Sequence, residues 1–252
     1  MKPRATLVCC YNKKEIYEDL VKSLSSQTEP VELIAIDNSK SKFSSCSKAF
    51  NSILASVSTQ FIIFSHQDIW FEENDCITRF LDYCEEINEC DIIGVAGRRK
   101  SINYGLSNIK QGKNREWAVH GRVERIQECD TIDECFFGGY TSCFKKYSFD
   151  EKICNGWHLY AVDRCLAALS RDNKVYVCDV PLVHISSGKT DHAFNICLYK
   201  LCLAYKNRLN YIAAPCEQTS TKPIMRELSY LKRELHVLKR DWKNFRKRRD
   251  YE

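Results

Sequence analysis

Three short apolar runs at similar spacing constrain the fold of this chain more than any other feature. They are Thr6-Leu-Val-Cys-Cys10, Val31-Glu-Leu-Ile-Ala-Ile36 and Phe61-Ile-Ile-Phe64. Each has the length and composition of a strand. Between the first two, over residues 13–27, Ile16, Leu20, Val21 and Leu24 fall on one helical face, and Pro30 closes the unit. Before the third, Ala49, Ile53, Leu54 and Val57 repeat the helical spacing. Strand, helix, strand, helix, strand is the order of parallel strands joined by helical crossovers, so the expected class is α/β.

Each run ends in polar residues: Tyr11-Asn12, Asp37-Asn38-Ser39, and Ser65-His-Gln-Asp68. In an open α/β sheet ligands bind at the carboxyl ends of strands. A carboxylate placed there suits a divalent cation, and the cation in turn suits the phosphates of a nucleotide. Taken alone, Asp68 reads more readily as a cap for the next element; the polar ends of the two earlier runs give the ligand reading its weight. There is no glycine-rich phosphate loop, which excludes the dinucleotide-binding fingerprint and the P-loop.

The later chain continues the alternation. A helix is expected over residues 73–89, a strand over 91–96, a helix from 156 to about 170, a strand over 175–178 and a helix over 193–205. Residues 98–125 lose periodicity and read as a functional loop or lid. Pro181-Leu-Val-His-Ile-Ser-Ser-Gly188 is a second polar-ended segment, whose serines suit a phosphate.

Of 252 residues, 44% are hydrophobic and 28% charged, the balance of an ordinary globular protein. No run approaches the roughly 18 apolar residues of a membrane-spanning helix, and the N-terminus lacks a signal peptide's long apolar region. The fifteen cysteines are odd in number and contain no CxxC pair, so neither a disulfide framework nor a zinc site is supported. A reduced, cytoplasmic chain is the expectation. From Lys222 onward there are 11 Lys or Arg against 5 Asp or Glu, a surplus of six that more than accounts for the net charge of +5. The first 221 residues therefore carry about −1, and the basic feature is a tail.

In order and spacing these segments resemble the family 2 type of GT-A glycosyltransferase over residues 6 to 211, notably the bacterial branch with His-Gln-Asp in place of Asp-x-Asp. The residues that carry the likeness are Tyr11-Asn12, Ile36-Asp37-Asn38-Ser39, Ala49 with Asn51, Ser65-His-Gln-Asp68, and Gly156-Trp-His-Leu-Tyr160 with Asp163. The resemblance implies a GT-A, mostly parallel twisted sheet flanked by helices, over residues 1–215. It implies transfer of a sugar from a nucleotide-sugar donor, UDP- or dTDP-linked, to a glycan or lipid-linked acceptor, assisted by Mn²⁺ or Mg²⁺ and with inversion. Asp68 and His184 are then the metal positions. Tyr11, Asn12, Asp37, Asn51, Gln67 and Asp68 are the nucleotide positions, Trp157 and His158 face the sugar or acceptor, and Asp163 is the base. The chain departs from the commoner pattern at His66, where many relatives carry an acid, and at Ala161, where they carry a second carboxylate. Each position has a plainer alternative: Asp37 as a turn residue, Trp157 as core, His184 as a structural histidine, Asp163 as a helix-surface ion pair.

Residues 216–252 form a separate unit. Ile224, Leu228, Leu231, Leu235, Leu238, Trp242 and Phe245 are spaced 4, 3, 4, 3, 4, 3, a heptad stripe on a basic helix that Pro223 starts. The stripe suits a homo-oligomer seam, an anionic membrane surface, with Lys243, Arg246, Lys247, Arg248 and Arg249 near the lipid, or packing on the helix's own domain. No nucleic-acid motif accompanies the charge, so no nucleic-acid partner is expected. Two further readings stay open: a sugar nucleotidyltransferase, and a degenerate, non-catalytic domain that scaffolds an assembly through this helix.

Overall fold

The three apolar runs become neighbouring parallel strands in the computed structural model, which describes residues 2–249 except 103, 187 and 189, and of residues 247–249 the backbone alone. β1 (Ala5–Tyr11) lies between β2 (Val31–Asp37) and β3 (Phe61–Ser65), with Tyr11 opposite Asp37 and Cys9 opposite Ser65. The helices α1 (Lys14–Leu24) and α2 (Cys46–Leu54) make the crossovers, and the Ser45 side chain caps α2 by accepting from the Lys48 amide. β3 is apolar without alternation because both faces of the sheet are covered. Phe61 and Ile63 join one buried layer with Phe80 and Phe136. Ile62 and Phe64 join the other with Phe50, Phe137, Phe144 and Phe149.

Next come β4 (Ile69–Phe71), α3 (Cys76–Glu86) and β5 (Ile92–Gly94). The aperiodic stretch after β5 is folded into β6 (Ala96–Arg98), β7 (Gly105–Ser107), β8 (Lys110–Gln111) and β9 (Glu116–Trp117). Strands of two or three residues are too short to leave a periodic signature, which is why this region reads as a loop in the sequence. β10 (Ile126–Cys129), β11 (Thr131–Ile132) and β12 (Phe136–Tyr140) lead to α4 (Thr141–Lys146) and α5 (Tyr160–Leu169). β13 (Val175–Cys178), β14 (Leu182–His184), α6 (His192–Tyr205), β15 (Tyr211–Ala214), β16 (Glu217–Ser220) and α7 (Pro223–Arg249) complete the chain.

The main sheet has the order β10-β13-β5-β12-β3-β1-β2. β12 runs against both its neighbours and β10 against β13, so five of the seven strands point one way, the mostly parallel sheet of the GT-A fold. A smaller sheet, β4-β14-β8-β9, sits at the carboxyl end of β3. In it β14 pairs antiparallel with β4 and sets His184 opposite Ile69. All fifteen cysteines are free thiols and twelve are buried.

β12 depends on a glycine where it crosses between β3 and β5. A Cβ on Gly138 would stand 2.1 Å from the Ile62 carbonyl oxygen, backbone that cannot step aside. Gly138→Ala should therefore destabilise by about 3 kcal/mol, the upper end of ordinary overpacking. Gly156, with nothing within 4 Å of its Cβ position, is the control. Urea unfolding should show a clear fall in midpoint for the first substitution and almost none for the second.

Candidate active site

The carboxyl ends of β1, β2 and β3 open into a cleft of about 880 Å³, within the size range of small-molecule sites. Its walls include Tyr11, Asn12, Gln67, Asp68, Trp157 and Ser186.

At its floor, β3 ends at Ser65 and the chain turns through His66, Gln67 and Asp68 into β4. The pairing of β4 with β14 brings His184 to this turn. His66 Nδ1 lies 3.4 Å from His184 Nε2, which in turn lies 3.4 Å from Asp68 Oδ1. One ligand atom from each of the three falls within 4.8 Å of the others. Two donors bound to one cation at 2.0–2.2 Å in adjacent positions stand roughly 3.0–3.5 Å apart, so the donor set fits a divalent ion. Atoms outside the set are also held. Tyr160 Oη lies 3.2 Å from His66 Nε2, and the Ser186 amide donates to Asp68 Oδ2 at 3.0 Å. Such outer contacts orient metal ligands.

The electrostatics suit a cation at Asp68 and His66, while His184 would have to give up a proton to join them. Burial disfavours the charged form of His66 and the neighbouring His184 adds to it, bringing His66 down to about 4. Burial alone would raise the Asp68 carboxyl, but hydrogen bonds from His184 and Ser186, with the His184 charge, hold it well below the usual carboxylate range. His184 is raised, because Asp68 outweighs the burial that would lower it. At neutral pH Asp68 is thus an anion and His66 a neutral imidazole, the forms that ligate a cation.

The nucleotide candidates fall into three groups. Tyr11 and Asn12 line the cleft; Tyr11 stacks on Tyr17 at 4.4 Å and acts on the exposed Asp37 at the end of β2. Asp37 accepts from the Ser39 amide at 2.8 Å and is held low by its Ser39 contacts. Gln67 ties two strand ends together: its Oε1 accepts from the Asn12 and Lys13 amides and its Nε2 donates to Asn12 Oδ1. Asn51 is placed elsewhere. Its amide spans α2 to Phe149 and Glu151, and it is not on the cleft wall.

Trp157 is 42% exposed on the cleft wall. His158 points instead to Asp191 at the start of α6, 3.2 Å away. Between them and α5, Leu159 takes a left-handed φ of 62°, a strained conformation for a bulky residue. Asp163 is only 5% exposed and accepts from Tyr205 Oη at 2.9 Å, off the cleft wall. Burial raises it to about 6 against the pull of that bond. Ser187 lies outside the described residues.

The sequence shows His66 only as a departure from an acid, and foretells neither its place beside Asp68 and His184, nor Tyr160 against His66, nor the Ser186 amide against Asp68. Asp133 and Glu134, which lead into β12, were also passed over. Asp133 acts electrostatically on both His66 and His184. Burial pushes the Glu134 carboxyl well above its ordinary range, and its Oε1 has no hydrogen-bond partner among the described residues. The signal for the pair was an acidic dipeptide directly ahead of an apolar strand.

The fold is shared with solved glycosyltransferases. A mannosyltransferase from Pyrobaculum calidifontis, solved with GDP-Man and Mn²⁺, superposes with a TM-score of 0.56 at 10% identity, over 85% of this chain and 67% of that one. S. aureus TarS 1–349, solved with UDP-GlcNAc, gives 0.55 at 14% identity, over 81% and 66%. GalNAc-T7, with UDP, GalNAc and Mn²⁺, gives 0.52 at 6% identity, over 79% and 47%. The chain thus spans between about half and two thirds of these proteins. No curated protein matches it by sequence. The sequence profile of a glycosyltransferase-like family matches residues 6–195, three quarters of the chain, and the protein belongs to that family.

Proposed function

We propose that this chain transfers a sugar from a nucleotide-sugar, expected to be UDP- or dTDP-linked, to a glycan or lipid-linked acceptor, with inversion. The observation that carries the reading is the His66, Asp68 and His184 cluster at the floor of the cleft. A divalent cation held there would offset the charge of the departing diphosphate. Two imidazoles beside one carboxylate favour Mn²⁺ over Mg²⁺, which prefers an all-oxygen shell. Tyr11, Asn12 and Asp37 would receive the base and ribose, Gln67 would keep the two strand ends in register, and Trp157 would offer a face to the sugar. The basic end of α7, with Lys243 and Arg246 exposed, suits work beside an anionic membrane surface. No helix among the described residues is long and apolar enough to cross one.

The site should reveal itself in ligand protection. A nucleotide at 100 times its Kd stabilises by roughly 2.7 kcal/mol. Thermal melts with UDP-, dTDP- and GDP-sugars should show protection that Mn²⁺ enhances. In Asp68→Asn the melt without ligand should fall somewhat, because the carboxylate's contacts with His184 and Ser186 are weakened, and the Mn²⁺ enhancement should disappear altogether. Persistence of that enhancement would remove Asp68 from the site.

The base is a separate question. Burial of Asp163 and its bond to Tyr205 favour a structural role, and Ala161 leaves no second carboxylate on that turn. These two features also sustain the rival reading of a donor-binding domain that does not transfer. Asp163→Asn tests the point twice. The folded carboxyl sits near 6 against an ordinary 3.8, so the wild type is relatively most stable at low pH and loses about 3 kcal/mol as pH rises from about 4 to about 6. The Asn variant should lack that loss and be the more stable protein at pH 8. Its transfer rate should stay within a few-fold of wild type. A fall of about 10²- to 10⁴-fold with donor binding intact would instead make Asp163 the base.

A further inference from the structure

The apolar stripe of α7 faces outward. All seven of its residues, from Ile224 to Phe245, are between 54% and 75% exposed. The opposite face is already used. Val237 is buried, Tyr230 packs on Tyr199, and the Tyr199 hydroxyl donates to Glu227. Arg240 donates to the Thr190 carbonyl, and Glu234 is engaged by His192 and Asn195. A 27-residue helix, about 40 Å long, is therefore fixed to its own domain along its back and unpartnered along its front.

The heptad register shows what fits that front. With Leu228, Leu235 and Trp242 at a, the d positions are Ile224, Leu231, Leu238 and Phe245. The g positions that have an e position five residues on within the helix are then Glu227, Glu234 and Asp241, all acidic; the last g position is Arg248. After Met225, the e positions are Lys232, Lys239 and Arg246, all basic and all exposed. In a parallel pair of helices each g residue meets the e residue five places later on the other helix. Glu227 then meets the partner's Lys232, Glu234 the partner's Lys239, and Asp241 the partner's Arg246. In an antiparallel pair g meets g and e meets e, acid against acid and base against base. All three acids already have contacts within their own chain, Glu227 with Tyr199 and Arg226, Glu234 with His192 and Asn195, and Asp241 with Arg240, so a partner's base would share them, most readily at the exposed Asp241.

We infer that α7 pairs with α7 of a second copy of this chain as a parallel two-stranded coiled coil, its two catalytic domains on opposite outer sides. This inference is independent of the transferase reading, since none of the residues it uses lines the cleft. It also puts both basic helix ends at the same end of the dimer.

Sedimentation of the full-length protein should give twice the 29.4 kDa chain mass. Leu231→Asp with Leu238→Asp should give monomers with an unchanged far-UV spectrum. Lys232→Glu, Lys239→Glu and Arg246→Glu together keep the stripe but turn attraction into repulsion, and should weaken the dimer on the order of 100-fold. Orientation is read by mild oxidation in a Cys216→Ser background, which removes the one exposed native thiol. Ile224→Cys chains and Phe245→Cys chains should each crosslink to themselves. Crosslinking only when the two variants are mixed would mean an antiparallel pair and overturn the assignment. A monomeric wild type would overturn it too, including one whose Leu231→Asp, Leu238→Asp variant loses binding to anionic vesicles, which would give the stripe to lipid.

Discussion

Everything in the site depends on one antiparallel pairing, that of β4 with β14. Residues 66–68 and residue 184 are separated by more than a hundred positions of chain, and three backbone pairs between Ile69–Phe71 and Leu182–His184 join them. The Ile185 amide extends the ladder to the Asp68 carbonyl, and the Ser186 amide then reaches the Asp68 carboxylate. A carboxylate at the end of β3 is thereby converted from a solitary anion into one member of a three-residue cluster. The buried aromatic layer below, where Phe50, Phe64, Phe137 and Tyr160 meet, holds Tyr160 under His66 and so sets the ring that completes the cluster.

The cluster also bears on the histidine at position 66, where the resemblance leads one to expect an acid. A second carboxylate there would place two like charges at the floor of a partly buried cleft, a costly arrangement without a cation. A neutral imidazole avoids that cost and still offers a lone pair. The expected consequence is a site that tolerates the ion-free state and selects for ions that accept nitrogen, in keeping with the proposed Mn²⁺ preference.

The parts of the fold legible in the sequence were those with a long apolar run or a helical period. The strands at 6–10, 31–36 and 61–64 show as apolar runs, the crossover helices and the α7 stripe as repeated apolar spacing, and the structure contains each of them. The two- and three-residue strands β6 to β9 left no such trace. Among the candidate site residues, Tyr11, Asn12, Gln67 and Asp68 stand at strand ends, where ligands of an α/β sheet collect, Trp157 came from the family resemblance, and all five line the cleft. The reach of His184 to Asp68 came from the family resemblance, because its cause, β4, is too short to foresee. Asn51 and Asp163, expected at the site, stand off the cleft wall for the opposite reason. Both are polar residues on amphipathic helices, where sequence cannot say which neighbour takes the side chain; Phe149 takes one and Tyr205 the other.

The most direct measurement is anomalous diffraction from crystals grown with Mn²⁺ and a nucleoside diphosphate. The account predicts a single strong manganese peak within coordination distance of the Asp68 carboxylate and of the imidazoles of His66 and His184, with the diphosphate on its open side. A peak bound only to diphosphate and water, or one at another place on the protein, would contradict it.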